Sequence, residues 1–268
     1  MAVTVIALLL ASGCATMRPP SLAARTAGRD VVLAVVTWNM NAGRGDLRRL
    51  VDDLARGRLT GAPVTNYLLL LQESIEGSEH DVVRFARARR LSTFFVPLWT
   101  GDAGVSGNAI LSSTLLINAR PIELPRERRV RTAVAATIEV SGTRLFAVCT
   151  HLENRTSWLQ AGLFSDHARG RQAEALLRVL PDGPGIVGGD LNTWLGENER
   201  AWRALLERFD DTPRARLDPT FRERLVLDHL FFDLPRQWEA LRQVVPDRYG
   251  SDHHPVVGVI LEREGGRG

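Results

Sequence analysis

Gly185-Ile186-Val187-Gly188-Gly189-Asp190-Leu191-Asn192-Thr193 carries the reading of this chain: a short apolar run stops at two glycines and delivers an acid and an amide at its end. A run of that length and composition reads as a buried strand. Similar segments lie on either side, at Val31 to Trp38, Tyr67 to Leu71, Val130 to Val140, Arg144 to Thr150, Leu225 to Phe232 and Pro255 to Leu261. Stretches with helical spacing separate them: Leu47 to Arg56 behind an Asp46 cap, Val82 to Leu91 behind Ser78, Ser165 to Leu180, and Asn198 to Phe209. Ser141-Gly142 divides two strand runs and reads as a hairpin turn. Strands outnumber helices, and hairpins alternate with helical connections. The expected fold is therefore α/β (α+β), a four-layer sandwich of two packed mixed β-sheets flanked by helices.

Several other strands finish in the same manner, on a residue that can bind a metal or handle a proton. The first ends Thr37-Trp38-Asn39-Met40-Asn41 and the second Leu71-Gln72-Glu73. A third ends Cys149-Thr150-His151-Leu152-Glu153-Asn154, Leu227-Asp228-His229-Leu230 lies inside an apolar run, and Ser251-Asp252-His253-His254-Pro255 introduces the last strand. Strand ends at one rim of a layered fold converge, so these groups can form one site. Carboxylates and amide oxygens are hard ligands suited to magnesium or manganese. Neighbours on an extended chain point to opposite faces, so at most one of His253 and His254 faces the cleft.

Each motif also has an ordinary reading. Glu73 alone is a strand-ending surface acid, Asn39 a turn residue and Asp190 a loop residue after two glycines; Glu153 and Asn154 follow His151 and could line the cleft, but read first as part of a solvated loop. Asp228 is different, because a carboxylate inside a buried strand needs partners. His80, His167, His229 and His254 are read as structural or surface residues.

Taken in order, and joined by Gly107-Asn108-Ala109-Ile110-Leu111-Ser112, these motifs resemble the endonuclease/exonuclease/phosphatase superfamily from Thr37 to Val256. The resemblance implies hydrolysis of a phosphate ester, a phosphodiester or a phosphomonoester, by in-line attack of water with Mg2+ or Mn2+ as cofactor. It implies Glu73 as the main metal ligand, with Asn39 contacting metal, water or phosphate and Asp252 completing the metal-side carboxylates or supporting His253. Asp190 is the implied base, assisted by Asn192. His253 contacts the scissile phosphate and is oriented by Asp228. His151 is a second phosphate-stabilising histidine or a proton donor, and Asn108 hydrogen-bonds the substrate phosphate. The substrate could be nucleic acid, a phosphorylated small molecule or a phospholipid head group, as in nuclease and sphingomyelinase-like branches.

Composition bounds the rest. The 268 residues are 44% hydrophobic and 24% charged, which excludes disorder and a polytopic membrane protein. A net charge of +3, carried entirely by arginine among the basic residues, favours anionic partners only weakly because the arginines are dispersed; Arg126, Arg128, Arg129 and Arg131 gather near one strand. Val3 to Ala11 followed by Ser12-Gly13-Cys14 has the length of a signal-peptide core and resembles a bacterial lipoprotein cleavage site. Residues 1–29 are thus expected to be a signal or lipoprotein anchor plus tether, 30–262 the catalytic domain and 263–268 a flexible tail. The protein is expected to be exported, held at a membrane by an N-terminal lipid or secreted, and monomeric. Apolar stretches at Leu98-Trp99 and Trp158-Leu159 would suit a lipid substrate, although tryptophans usually belong to the core. A catalytically dead surface interaction protein would be expected to lose site residues, and all are present. A serine esterase is excluded by the absence of Gly-x-Ser-x-Gly.

Overall fold

A computed structural model describes residues 21–102, 104–154 and 163–263. The Cys14 motif, Trp158-Leu159 and residues 264–268 lie outside these. The chain runs α1 (Leu22–Thr26), β1 (Val31–Asn39), α2 (Leu47–Ala55), β2 (Tyr67–Glu76), α3 (Val82–Ala88), β3 (Ser92–Gly101), β4 (Gly104–Ser112), β5 (Ile117–Glu123), β6 (Thr132–Val140), β7 (Thr143–His151), α4 (Leu163–Val179), β8 (Gly185–Asp190), α5 (Arg200–Arg208), β9 (Asp228–Asp233), β10 (Trp238–Val244) and β11 (Val256–Glu262).

Six strands form one sheet in the order β10-β11-β1-β2-β4-β3, and five form a second in the order β5-β6-β7-β8-β9. The pairs β1/β2 and β7/β8 are parallel and the others antiparallel, so both sheets are mixed. Alternation sorts the side chains into layers. Val35, Leu68, Leu70 and Ile110 of the first sheet meet Val134, Ala147, Cys149 and Ile186 of the second. Ala34, Val36, Leu69 and Leu71 pack outward on α2 and α3, and Val148, Val187 and Phe231 pack outward on α4 and α5. This is the expected four-layer sandwich. The central strands are apolar throughout because both faces are covered. Gly188 lets the sheets close, since a Cβ there would sit 2.6 Å from Leu70 Cδ1 of the facing sheet.

Local chemistry sets several boundaries. Asp46 caps α2, its Oδ1 accepting the Arg49 N–H at 3.0 Å. Ser141 and Gly142 both have positive φ, 49° and 74°, as a tight hairpin between twisted strands requires. Asp81, not Ser78, caps α3, because its Oδ1 accepts the Arg84 N–H at 2.8 Å.

The structure corrects other expectations. β3, β4, β5 and β10 are additional strands; β3 and β5 are largely half-buried or exposed, and β10 mixes polar with apolar side chains at a sheet edge. The folded body also begins before Asp30: Leu22 is buried, its N–H donates to Gln243 Oε1 at 2.6 Å, and the Thr26 hydroxyl bonds the Thr60 carbonyl. Arg263 belongs to the body too, donating from N to Gln237 O and from Nε to Trp238 O. Trp99 is 53% exposed, against its expected place in the core. No helix among the described residues is long and apolar enough to cross a membrane.

Candidate active site

Strand register delivers the site. β1 and β2 are parallel with Asn39 opposite Gln72, β7 and β8 are parallel with His151 opposite Asp190, and β9 runs antiparallel with Asp228 also opposite Asp190. β11 pairs antiparallel with β1, bringing the preceding His253 to the same rim. Asp228 opens β9 instead of lying within a strand, since Leu225 to Leu227 precede it in irregular backbone. It is fully buried, as expected.

Glu73 depends on an irregularity. Between Leu71 and Ser74 the β2 chain advances one residue more than β4, whose partners are Ala109 and Gly107, and this bulge lies opposite Asn108. In an unbroken strand Glu73 would follow Leu69 and Leu71 to the outer helices; instead its φ is +50°. The loop after β1 closes over it. Asn41, Ala42 and Gly43 all have positive φ, Ala42 N–H donates to Glu73 Oε2 at 3.2 Å, and Gly43 N–H to its carbonyl at 2.9 Å. A Cβ on Gly43 would lie 2.7 Å from Ile75 Cγ1, so this turn demands glycine.

Asp190 is the hub. Its Oδ2 accepts the Asn39 amide at 3.0 Å and lies 3.5 Å from His151 Nε2 and 4.0 Å from His253 Nε2, while Oδ1 accepts the Asn192 N–H at 2.9 Å. The Asn192 side chain donates to Leu152 O at 3.1 Å and clips the ends of β7 and β8 together. His253 Nδ1 lies 2.7 Å from Asp228 Oδ2, its backbone N–H donates to Ser251 Oγ at 3.1 Å, and the Phe221 ring packs against the imidazole at 4.7 Å between centroids, tilted by 42°. His254 turns away, its Nδ1 on the Val245 carbonyl at 2.9 Å.

Electrostatics separates the two histidines. Burial lowers the His253 pKa, but Asp228, Asp190 and Asp252 outweigh it and push it up to about 10, so the ring is a cation at neutral pH. Burial, reinforced by the charges of Arg131 and His253, holds His151 well below 6.5 and therefore neutral. Burial and the Asp228 charge raise Asp190 to about 7, against His253 and the Asn39 and Asn192 hydrogen bonds.

Arg131 and Glu153 are also members of this rim, although the sequence marks Glu153 as a solvated loop residue and Arg131 only as one of four arginines near a strand. Arg131 is only 6% exposed, its Nε has no partner, and it interacts with Glu153, Asp190 and Glu73. Glu153 is 1% exposed and accepts the Arg129 N–H at 2.9 Å. Their signal was proximity to strand ends, but polarity alone points to solvent. Asn108 donates to the Thr132 carbonyl at 2.8 Å, leaving its buried Oδ1 without a partner.

Two groupings bear on a metal. Ligand atoms of Asp190, Asp228 and His253 lie within 4.8 Å of one another. Asp228 Oδ2 and His253 Nδ1 are engaged with each other and the His253 ring is a cation, so the histidine serves as a relay rather than a ligand, while Asp228 Oδ1 stays buried without a partner. Glu73 offers a half-buried hard oxygen donor at the same rim, facing Arg131. That donor chemistry fits Mg2+ or Mn2+. Asn39 directs its amide nitrogen to Asp190 and its oxygen to the Asn41 N–H at 3.0 Å, and half-buried Asp252 acts through its charge on His253.

Residues 36–253 match the model of the Endonuclease/Exonuclease/phosphatase family. No curated protein sequence matches the chain. Among solved structures, the human Nocturnin catalytic domain with bound sulfate is 21% identical, with 88% of this chain and 97% of that one aligned at a TM-score of 0.64. Sphingomyelinase C from Streptomyces griseocarneus is 19% identical over 85% and 98% of the two chains, TM-score 0.59. D. rerio TDP2 complexed with a single-strand DNA product is 17% identical over 86% and 99%, TM-score 0.58. At these identities the likeness is one of fold.

Proposed function

The chain belongs to the Endonuclease/Exonuclease/phosphatase family, whose membership supports a phosphoesterase- or nuclease-type hydrolase, and from that premise we propose hydrolysis of phosphate esters by in-line attack of water with Mg2+ or Mn2+. The observation that carries this reading is the convergence on Asp190 of Asn39, His151 and the Asp228-paired His253. Asp190, with its pKa near 7 and its two oxygens oriented by Asn39 and Asn192, is suited to orient and deprotonate the water. His253 keeps Nδ1–H on Asp228, and its second N–H, on Nε2, stabilises charge on the phosphoryl oxygens. Neutral His151 can donate one hydrogen bond there, but it is a poor proton source. Arg131 Nε offers a further donor for the phosphate, and Asn108 can contribute only the amide hydrogen that is not given to the Thr132 carbonyl. Glu73 would hold the cation, which when bound neutralises charge on the phosphoryl and leaving oxygens.

Export, and anchoring through a lipidated Cys14, form part of the same proposal and rest on the N-terminal motif. Loss of membrane association in Cys14→Ser would support the anchor; unchanged association would reject it. The substrate test is hydrolysis of plasmid DNA, RNA, sphingomyelin, inositol phosphates and bis-p-nitrophenyl phosphate with Mg2+ or Mn2+, against EDTA and the Glu73→Ala and His253→Ala variants. Metal-dependent turnover lost in both variants supports the mechanism, and the preferred substrate selects the branch. A folded, metal-loaded protein inactive on every substrate, and unable to bind Mn2+, would sink the reading.

A further inference from the structure

A cavity of about 430 Å3 lies beside the catalytic rim and includes none of Glu73, Asp190 or His253. Two of its walls are the backs of catalytic segments: Thr193 follows Asn192, and His229 follows Asp228 on the opposite face of β9. Thr193 Oγ1 and His229 Nε2 hydrogen-bond at 2.9 Å, tying these two segments together behind the site.

The lining is cationic and contains two buried polar atoms without partners, a donor on Arg242 and an acceptor on His229. Arg242 reaches in from β10 of the other sheet and is only 8% exposed. Its Nη1 and Nη2 donate to Leu230 O and Pro213 O, each at 2.9 Å, but its buried Nε has no partner. The Thr193 hydroxyl gives its proton to the Val226 carbonyl and so accepts from His229 Nε2–H, which makes the buried, unpartnered Nδ1 of the neutral His229 ring an acceptor, suited to a protonated oxygen of the anion. Such atoms are rare in folded proteins, and each marks a place where a ligand atom would satisfy the group. The exposed Arg216 and Arg224 line the same cavity, so three arginines share it with one acid, Glu197.

We propose that this cavity is a second anion-binding site, taking a phosphate-class oxyanion with Arg242 as the inner anchor and Arg216 and Arg224 as outer contacts. Guanidinium groups match the tetrahedral oxyanion in both charge and hydrogen-bond geometry. The anion is carried either on the substrate, beyond its reacting phosphate, or by a free effector. The site stands on the cavity and its donors, independently of the phosphoesterase reading.

The test is a titration of inorganic phosphate, then pyrophosphate, into the full chain in EDTA, read by tryptophan emission because Trp194 and Trp202 line the cavity. A saturable change is expected that persists in His253→Ala and weakens by about tenfold or more in Arg216→Ser/Arg224→Ser. Arg242→Gln should abolish it; because Arg242 also braces two carbonyls, the exposed double variant decides the matter if Arg242→Gln does not fold. No saturable signal, or a signal lost in His253→Ala and unaltered in the double variant, would overturn the proposal. In kinetics, a KM raised by the double variant only for substrates bearing a second phosphate identifies a substrate subsite. A phosphate effect on bis-p-nitrophenyl phosphate turnover that the double variant removes identifies a free effector. Failure of the enzyme reading would silence these kinetics but leave the emission titration intact.

Discussion

His253 Nδ1 lies 2.7 Å from Asp228 Oδ2, and this bond passes from the lead-in of β11 in one sheet to the first residue of β9 in the other. The Asn39–Asp190 bond crosses between the sheets in the same way. The candidate site is thus stitched from both halves of the sandwich, and its geometry depends on their packing.

Asp228→Asn retains the size of this anchor and removes its charge. The His253 pKa should fall from about 10 toward the ordinary histidine value, and kcat should drop by about 10–100-fold. The high-pH limb of the rate profile should move to lower pH. A limb that stays in place would show that Asp228 does not hold the His253 proton.

The metal-free protein should display the two histidines in opposite states by 15N NMR. His253 stays doubly protonated until the pH approaches about 10, whereas His151 stays neutral at and somewhat below 6.5. Because the folded His253 pKa lies above its unfolded value, its stabilising contribution is complete below about 6.5 and is lost as pH rises through about 10. An ordinary titration near 6.5 by either ring would contradict the assignment.

Glu73→Gln keeps the shape of the side chain and removes the charged oxygen donor. Mn2+ binding, followed by loss of the free-ion EPR signal, should weaken by at least about 100-fold. EDTA should abolish turnover by the native chain, and added Mg2+ or Mn2+ should restore it. Native-like Mn2+ affinity in the variant would remove Glu73 from the metal site.

Arg169 and Glu199 form a fully buried ion pair at 2.6 Å, and Arg169 also donates to the Glu153 carbonyl just beyond β7. Arg169→Met alone should cost about 3–5 kcal/mol in urea unfolding, because it strands a buried carboxylate. Arg169→Met/Glu199→Leu should recover most of that loss. Equal stability of the single and double variants would mean that Glu199 finds another partner or neutralises without cost.

The strand-end motifs were legible because covalent order puts each polar group next to an apolar run. Val31 to Trp38 before Asn39, and Gly185 to Val187 before Asp190, betray buried strands that stop at a rim. The edge strands were harder. Trp238 to Val244 mixes polar and apolar residues because one side of β10 has no neighbouring strand, which leaves a weak pattern. The short helix at Leu22–Thr26 was hidden by its length; burial of Leu22 and Thr26 against the body accompanies its ordering.

Sequence by itself determined the layered class, the succession of strand-borne acids, amides and histidines, and the family resemblance, since each depends on residue type and local spacing. Tertiary structure alone decided which groups meet and in what charge state. Arg131 and Glu153 carry the polarity of surface residues, yet folding buries both at the rim, and the bulge at Glu73 redirects a side chain that alternation would have sent to the helices. His151 and His253 are the same residue type, but one is held neutral beside Arg131 and the other cationic beside Asp228. Their difference comes from through-space charge and desolvation, which depend on distances that only the packed sheets establish.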